Sequence, residues 1–148
     1  MVDITTPEIR SRMMSGIRAK NTNPEMVVRS ALHRLGFRFR LHARELPGTP
    51  DIILPRYRVV IFVHGCFWHK HQCSLFKMPA TRTDFWREKL SKNQFRDEAN
   101  IERLHEAGWR VATVWECSIR ASAKTRNDSL FLGLAEWIKD VDIDEASF

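Results

Sequence analysis

The sequence predicts an α/β fold, a mixed β-sheet flanked by α-helices in one domain. Three observations carry this reading. Segments of helical and strand periodicity follow one another as helix, strand, hairpin, helix, strand, helix. Two apolar runs, Ile52-Ile53-Leu54 and Val59-Val60-Ile61-Phe62-Val63, flank a short polar connection and so form an antiparallel pair. A chain of 148 residues, 43% of them hydrophobic, buries roughly 68–70% of the surface its unfolded form exposes, so its core needs no stapling.

Each element has a local cause. Residues 1–22 are basic and polar, with Met13-Met14 and an interrupting Gly16, and read as a mobile arm or weak helix. Asn23 is the expected N-cap, with Pro24 at the first helical position and Glu25 in the first turn, where the helix dipole favours an acid. Val28, Ala31, Leu32 and Leu35 recur at helical spacing until Gly36 stops the helix. Phe37, Phe39 and Leu41 alternate with Arg38, Arg40 and His42, the period-two pattern of a half-exposed strand. Leu46-Pro47-Gly48-Thr49-Pro50 breaks the chain before the hairpin, whose connection is Pro55-Arg56-Tyr57-Arg58.

From His64 to Pro79 the chain is dense in His, Cys and aromatics without periodicity, as in an irregular functional loop. One long or broken helix follows over 84–107, capped by Thr83 and stopped by Gly108. Asp97 interrupts its apolar stripe near Leu90, Ile101 and Leu104. Trp109–Trp115 is a strand and Leu130–Ile138 a helix, while the acidic residues 140–148 are expected to fray. The folded domain is therefore expected over 23–139.

Charge and cysteine usage narrow the function class. The net charge is +6, and it is uneven: residues 1–60 hold eleven basic against five acidic groups, 61–120 ten against seven, and 121–148 three against six. A basic body with an acidic tail fits a polyanion whose phosphates Lys and Arg neutralise, although a merely soluble basic surface has the same totals. The longest strongly apolar run, Val59–Val63, is far below the ~18 residues of a membrane helix. Charged residues at the N-terminus exclude a secretory signal, so a cytosolic address is expected. Three cysteines, Cys66, Cys73 and Cys117, then favour metal ligation or free thiols over disulfides.

Register places the chemistry. If Leu54 pairs with Val59, Asp51 lies opposite Phe62, at the same sheet edge as Val63, His64 and the His/Cys loop. A carboxylate at a strand end beside histidines suits a magnesium ion that positions a phosphodiester. Cys66, Cys73 and Cys117 with one histidine, His69 or His71, make up a Cys3His zinc set, and the histidine left over is free for acid–base work. Phe67 and Trp68 in the loop, and Trp86 followed by Lys89 and Asn93 on nearly one helix face, suit wedging between base pairs and reading base edges.

Met14-Ser15-x-Ile17, Asn21-Thr22-x-Pro24-Glu25, Leu46-Pro47-Gly48-Thr49-Pro50-Asp51, His64-Gly65-Cys66-Phe67-Trp68-His69, Pro79-Ala80-Thr81-Arg82-Thr83 and Val114-Trp115-Glu116-Cys117 closely resemble the very short patch repair endonucleases. The resemblance spans residues 8–138. It implies a bacterial DNA mismatch endonuclease with a restriction-endonuclease-like core, which nicks one strand 5′ of the thymine in a T·G mispair left by deamination of 5-methylcytosine. It further implies that Asp51 and the backbone carbonyl of Val63 bind Mg2+, that Glu25 and His64 hold waters around that ion, and that His69 is the general base. Cys66, His71, Cys73 and Cys117 would bind Zn2+. Phe67, Trp68 and Trp86 would enter the base stack from the major groove, with Lys89 and Asn93 near the mispair and the Met14 arm in the minor groove.

The second strand ends Val63-His64-Gly65, without the second acid and lysine usual in restriction-like nucleases, a loss the family shares; Val63 stands where its members often have threonine. The implied partner is double-stranded DNA with a T·G mismatch, bound by a monomer in the bacterial cytoplasm at the nucleoid. A cytosine-5 DNA methyltransferase and general mismatch-repair proteins are the expected functional associates. The alternative function is a zinc-stabilised binder of distorted DNA without catalysis.

Overall fold

The computed structural model describes residues 22–148. Helix α1 (Asn23–Arg34) leads into strand β1 (Arg40–Leu41). Strand β2 (Ile52–Leu54), a 3-10 turn (Pro55–Tyr57) and strand β3 (Val59–His64) follow, and then the long helix α2 (Thr83–Glu106). Strand β4 (Arg110–Trp115), helix α3 (Glu116–Thr125), helix α4 (Ser129–Lys139) and strand β5 (Glu145–Ser147) complete the chain. The five strands form one sheet in the order β1-β2-β3-β4-β5, antiparallel from β1 to β3 and parallel from β3 to β5. The mixed sheet expected from the element order is therefore present, and its hairpin has the expected register, with Leu54 opposite Val59.

Strand alternation divides the core into two layers. Ile52, Leu54, Val59, Ile61, Ala112 and Val114 face helices α1, α3 and α4, meeting Val28, Leu32, Ile119 and Leu134. Ile53, Val60, Phe62 and Val111 face the other way, against Leu104 of α2. Gly36 and Gly108 end α1 and α2 at φ +90° and +87°, where a side chain would be strained. The N–H groups of Phe37 and Trp109 close onto the carbonyls of Leu32 and Leu104.

Several boundaries differ from the sequence reading. Thr22, not Asn23, caps α1, because its hydroxyl accepts the Glu25 N–H at 3.4 Å. Thr83 is the first residue of α2 rather than its cap, and its hydroxyl donates to the carbonyls of Pro79 and Ala80. Only Arg40–Leu41 of the segment 37–41 is ladder-bonded, since β2 offers only three residues to pair with. Helix α3 lies where no helix was expected.

The acidic end carries a paired strand where fraying was expected. Residues Glu145–Ser147 pair with Val111–Thr113 as β5, and buried Arg110 fixes the approach to it. The Arg110 guanidinium donates to the carbonyls of Trp137, Ile138, Asp140 and Ile143 and stacks over the Trp137 ring. Backbone pairing and a buried cation outweigh the polar composition on which fraying was expected.

Candidate active site and metal centre

The site is built at one sheet edge. Antiparallel pairing puts the start of β2 beside the end of β3, and parallel pairing puts the end of β4 there as well, with His64 opposite Trp115. Loops leaving the ends of parallel strands are where open α/β sheets hold ligands. Here the ends of β3 and β4 and the segments leaving them carry His64, His69, His71 and all three cysteines.

Asp51 immediately precedes β2, and its Oδ2 accepts the Val63 N–H at 2.8 Å. Glu25, in the first turn of α1, is 1% exposed. Its Oε2 accepts from His42 Nε2 at 3.0 Å and from Arg29 at 3.3 Å. One ligand atom each of Glu25, His42 and Asp51 lies within 4.8 Å of the others. Burial, against the opposing Val63 N–H, pushes the Asp51 carboxyl up to about 7, and the charge of Glu25 and a hydrogen bond to it push the same way. Two carboxyl groups that close in a buried site form a donor set that fits a hard divalent cation.

His64 ends β3 and stacks on His69, with ring centroids 3.6 Å apart and planes 4° from parallel. It is 8% exposed, and its Nδ1 has no hydrogen-bond partner among the described residues. Burial first, and His69 second, lower its imidazole to about 3, so it is neutral at pH 7. His69 Nδ1 is hydrogen-bonded to Asp97 of α2. That bond leaves Nε2 as the free nitrogen of His69, with its tautomer set by a carboxylate. Asp51 is thus bonded to the backbone of the residue before His64, and the side chains gather as two groups, Glu25, His42 and Asp51 in one and His64, His69 and Asp97 in the other.

The sequence left His69 and His71 as alternatives for the thiol site, and the structure brings His71 to it. One ligand atom each of Cys66, His71, Cys73 and Cys117 lies within 4.8 Å of the others. Cys117 is the second residue of α3, which follows β4 directly, and this explains how a cysteine 51 positions from Cys66 comes to donate its N–H to that sulfur. His71 stacks flat on Trp115 at 4.0 Å. Burial pushes the Cys66 thiol up to about 12, against the Cys117 N–H. Three sulfurs and an imidazole so close, one of them buried where only a cation would stabilise its thiolate, could hold a metal with soft-ligand preference.

Phe67, Trp68 and Trp86 form a half-exposed aromatic cluster with ring centroids 5.1 to 6.0 Å apart. Lys89 is exposed and lines a hollow of about 320 Å³ with Phe85, Glu88, Lys92, Asn93 and Arg96. Asn93 also braces the loop, since its Nδ2 donates to the Trp68 carbonyl at 3.1 Å. Met14 lies outside the described residues.

Two site residues escaped the sequence reading. Asp97 was visible only as a flaw in an apolar stripe, and an acid on a packing face was its signal. His42 was hidden in an alternating pattern that put it with the exposed arginines. Its left-handed backbone, φ +50°, left no mark in that pattern.

Comparison with known proteins agrees with this geometry. Residues 2–75 match the family described as DNA mismatch endonuclease Vsr. The chain is 50% identical over 119 residues to type II nicking enzyme V.XorIIP of Xanthomonas oryzae pv. oryzae, covering 80% of this chain and 88% of the relative. It is 48% identical over 138 residues to the DNA mismatch endonuclease Vsr of Escherichia coli, covering 93% and 88%. With type II nicking enzyme V.NmeAIP of Neisseria meningitidis the identity is 44% over 126 residues, covering 85% and 90%. Similarity of this extent across the strands and loops that assemble the site means that the chain belongs to the Vsr family of DNA mismatch endonucleases.

Proposed function

We propose that this protein nicks one strand of duplex DNA 5′ of the thymine in a T·G mispair, using Mg2+ at Asp51 and a structural Zn2+ held by Cys66, His71, Cys73 and Cys117. The observation that carries the reading is an Asp51 carboxylate bonded to the Val63 N–H at the strand end where His64 stacks on a His69 whose tautomer is fixed by Asp97. The core is read as restriction-endonuclease-like, a mixed sheet with its reactive edge at the β2–β3 hairpin.

Asp51 and the Val63 carbonyl are the residues that would hold Mg2+. When bound, the ion neutralises phosphate charge in the developing transition state. His69 Nε2 accepts the proton of the attacking water, and Asp97 stabilises the imidazolium that forms. Glu25 and neutral His64 orient water beside Asp51, a role that suits the unpartnered His64 Nδ1. Phe67, Trp68 and Trp86 replace base–base stacking at the opened step. Unstacking costs a few kcal/mol and is least at a mismatch, so part of the discrimination follows from deformability. Lys89 contacts the duplex near the mispair, and Asn93 supports it through the Trp68 carbonyl. Val63 retains a carbonyl but no hydroxyl, so any contact through a threonine side chain is lost. One asymmetric lesion needs one subunit, and a cytosine-5 DNA methyltransferase creates the base whose deamination yields the substrate. The described residues contain no helix long and apolar enough to cross a membrane.

The test is a nicking assay on matched duplexes and a mismatch panel with Mg2+. Cleavage confined to T·G, 5′ of the thymine, and abolished in Asp51→Ala is the expected result. Equal cutting of matched DNA would overturn the mismatch claim. Mismatch binding with no magnesium-dependent nick would leave a zinc-stabilised binder instead.

A further inference from the structure

His42 belongs to neither the proposed catalytic set nor the thiol site, yet it touches both carboxylate-bearing segments. Leu41 packs on the α1 side of the sheet, so an extended residue at 42 would point to the opposite side. The backbone at 42 departs from that rule with φ +50°, a conformation a residue with a Cβ adopts only against strain. The departure turns the imidazole back toward α1, where Nε2 meets both oxygens of Glu25 at 3.0 and 3.2 Å, 17 positions away. Meanwhile the His42 N–H still donates to the Asp51 carbonyl at 3.1 Å. One residue therefore ties the Glu25 side chain to the Asp51 backbone.

The bond also decides what His42 is not. A carboxylate only accepts, so a nitrogen bonded to both its oxygens carries the proton and has no lone pair for an ion. Although a His42 ring nitrogen stands within 4.8 Å of the two acids, the Nε2 that meets Glu25 steers that acid and does not ligate. Glu25 reaches the site on a flexible side chain from another element, and a partner of this kind is what fixes an acid's orientation beside a cation.

We infer that His42 is a positioning residue for the nicking reaction: it holds Glu25 in the orientation that, with Asp51, admits the divalent cation. This rests on the proposed reading of Asp51 as the cation site. The test uses the full chain with Mn2+ as probe, read by electron paramagnetic resonance on the free protein, alongside single-turnover nicking. His42→Gly removes the ring at a backbone angle that glycine adopts freely, so the fold is spared. Expected is a loss of about 10–100-fold in Mn2+ affinity and in nicking rate, with affinity for mismatched DNA unchanged. His42→Gln, whose amide can donate to Glu25, should recover most of both. A His42→Gly protein within twofold of wild type in both readouts, or a His42→Gln protein no better than His42→Gly, overturns the inference. Asp51→Asn is measured in parallel. If it retains Mn2+ binding and nicking, the site reading itself fails, which separates the two outcomes.

Discussion

The Asp51 carboxyl makes the folded protein's stability depend on pH. Burial and Glu25 push its carboxyl up to about 7 from 3.8, so between those values the folded chain holds a proton that the unfolded chain has released. Stability of the metal-free protein therefore falls as pH rises from about 4 to about 7 and then levels. Asp51→Asn should remove that part of the slope, as thermal unfolding across the range would reveal. A divalent ion must displace the same proton, so its apparent affinity should weaken about tenfold per pH unit below about 7. Titration calorimetry at several pH values measures this, and a pH-independent affinity would place the ion elsewhere. The register argument from Leu54 and Val59 was enough to bring Asp51 to this edge. His42 was not legible in that way, because its orientation depends on a single left-handed backbone angle that no pattern of residue types encodes.

At the scale of elements, β4 and α4 depend on one buried cation. Arg110 donates to carbonyls at the end of α4 and in the turn beyond it, satisfying groups that a helix end otherwise leaves open. Arg110→Met should lower stability by about 3 kcal/mol, because those carbonyls lose a charged donor in a dry environment. A reduced urea midpoint with an unchanged slope is the expected signature. The same residue explains why the composition of 140–148 misleads: acidic and polar residues are held by a neighbour far away in sequence. Helix α2 carries the opposite lesson. Its stripe from Leu90 to Leu104 was readable, whereas the acid within it, Asp97, is bonded to His69 because the loop covers that turn.

On the scale of the whole molecule, the thiol site and the reactive edge are one construction. Cys66, His71 and Cys73 lie in the loop that also carries Phe67, Trp68 and His69, and Cys117 anchors that loop to α3. The loop has little apolar burial of its own, so removal of the proposed metal should release Phe67, Trp68 and His69 together. Stripping the protein with a strong chelator is expected to lower its melting temperature by about 10 °C and to abolish nicking. Zinc should restore both, whereas magnesium should restore neither. Retained activity in protein shown by metal analysis to be zinc-free would disconnect the two centres.

Local chemistry written along the chain determined helices α1, α2 and α4, the hairpin register, the helix-stopping glycines and the types of residue gathered after β3, since each depends on neighbours a few positions apart. Tertiary structure alone decided which histidine joins the sulfurs, that Asp97 orients His69, that His42 turns onto Glu25 and that the acidic end becomes a strand. Those outcomes depend on side-chain direction and on partners 17 to 51 positions away, and such distances close only when the sheet brings the ends of its strands to one edge.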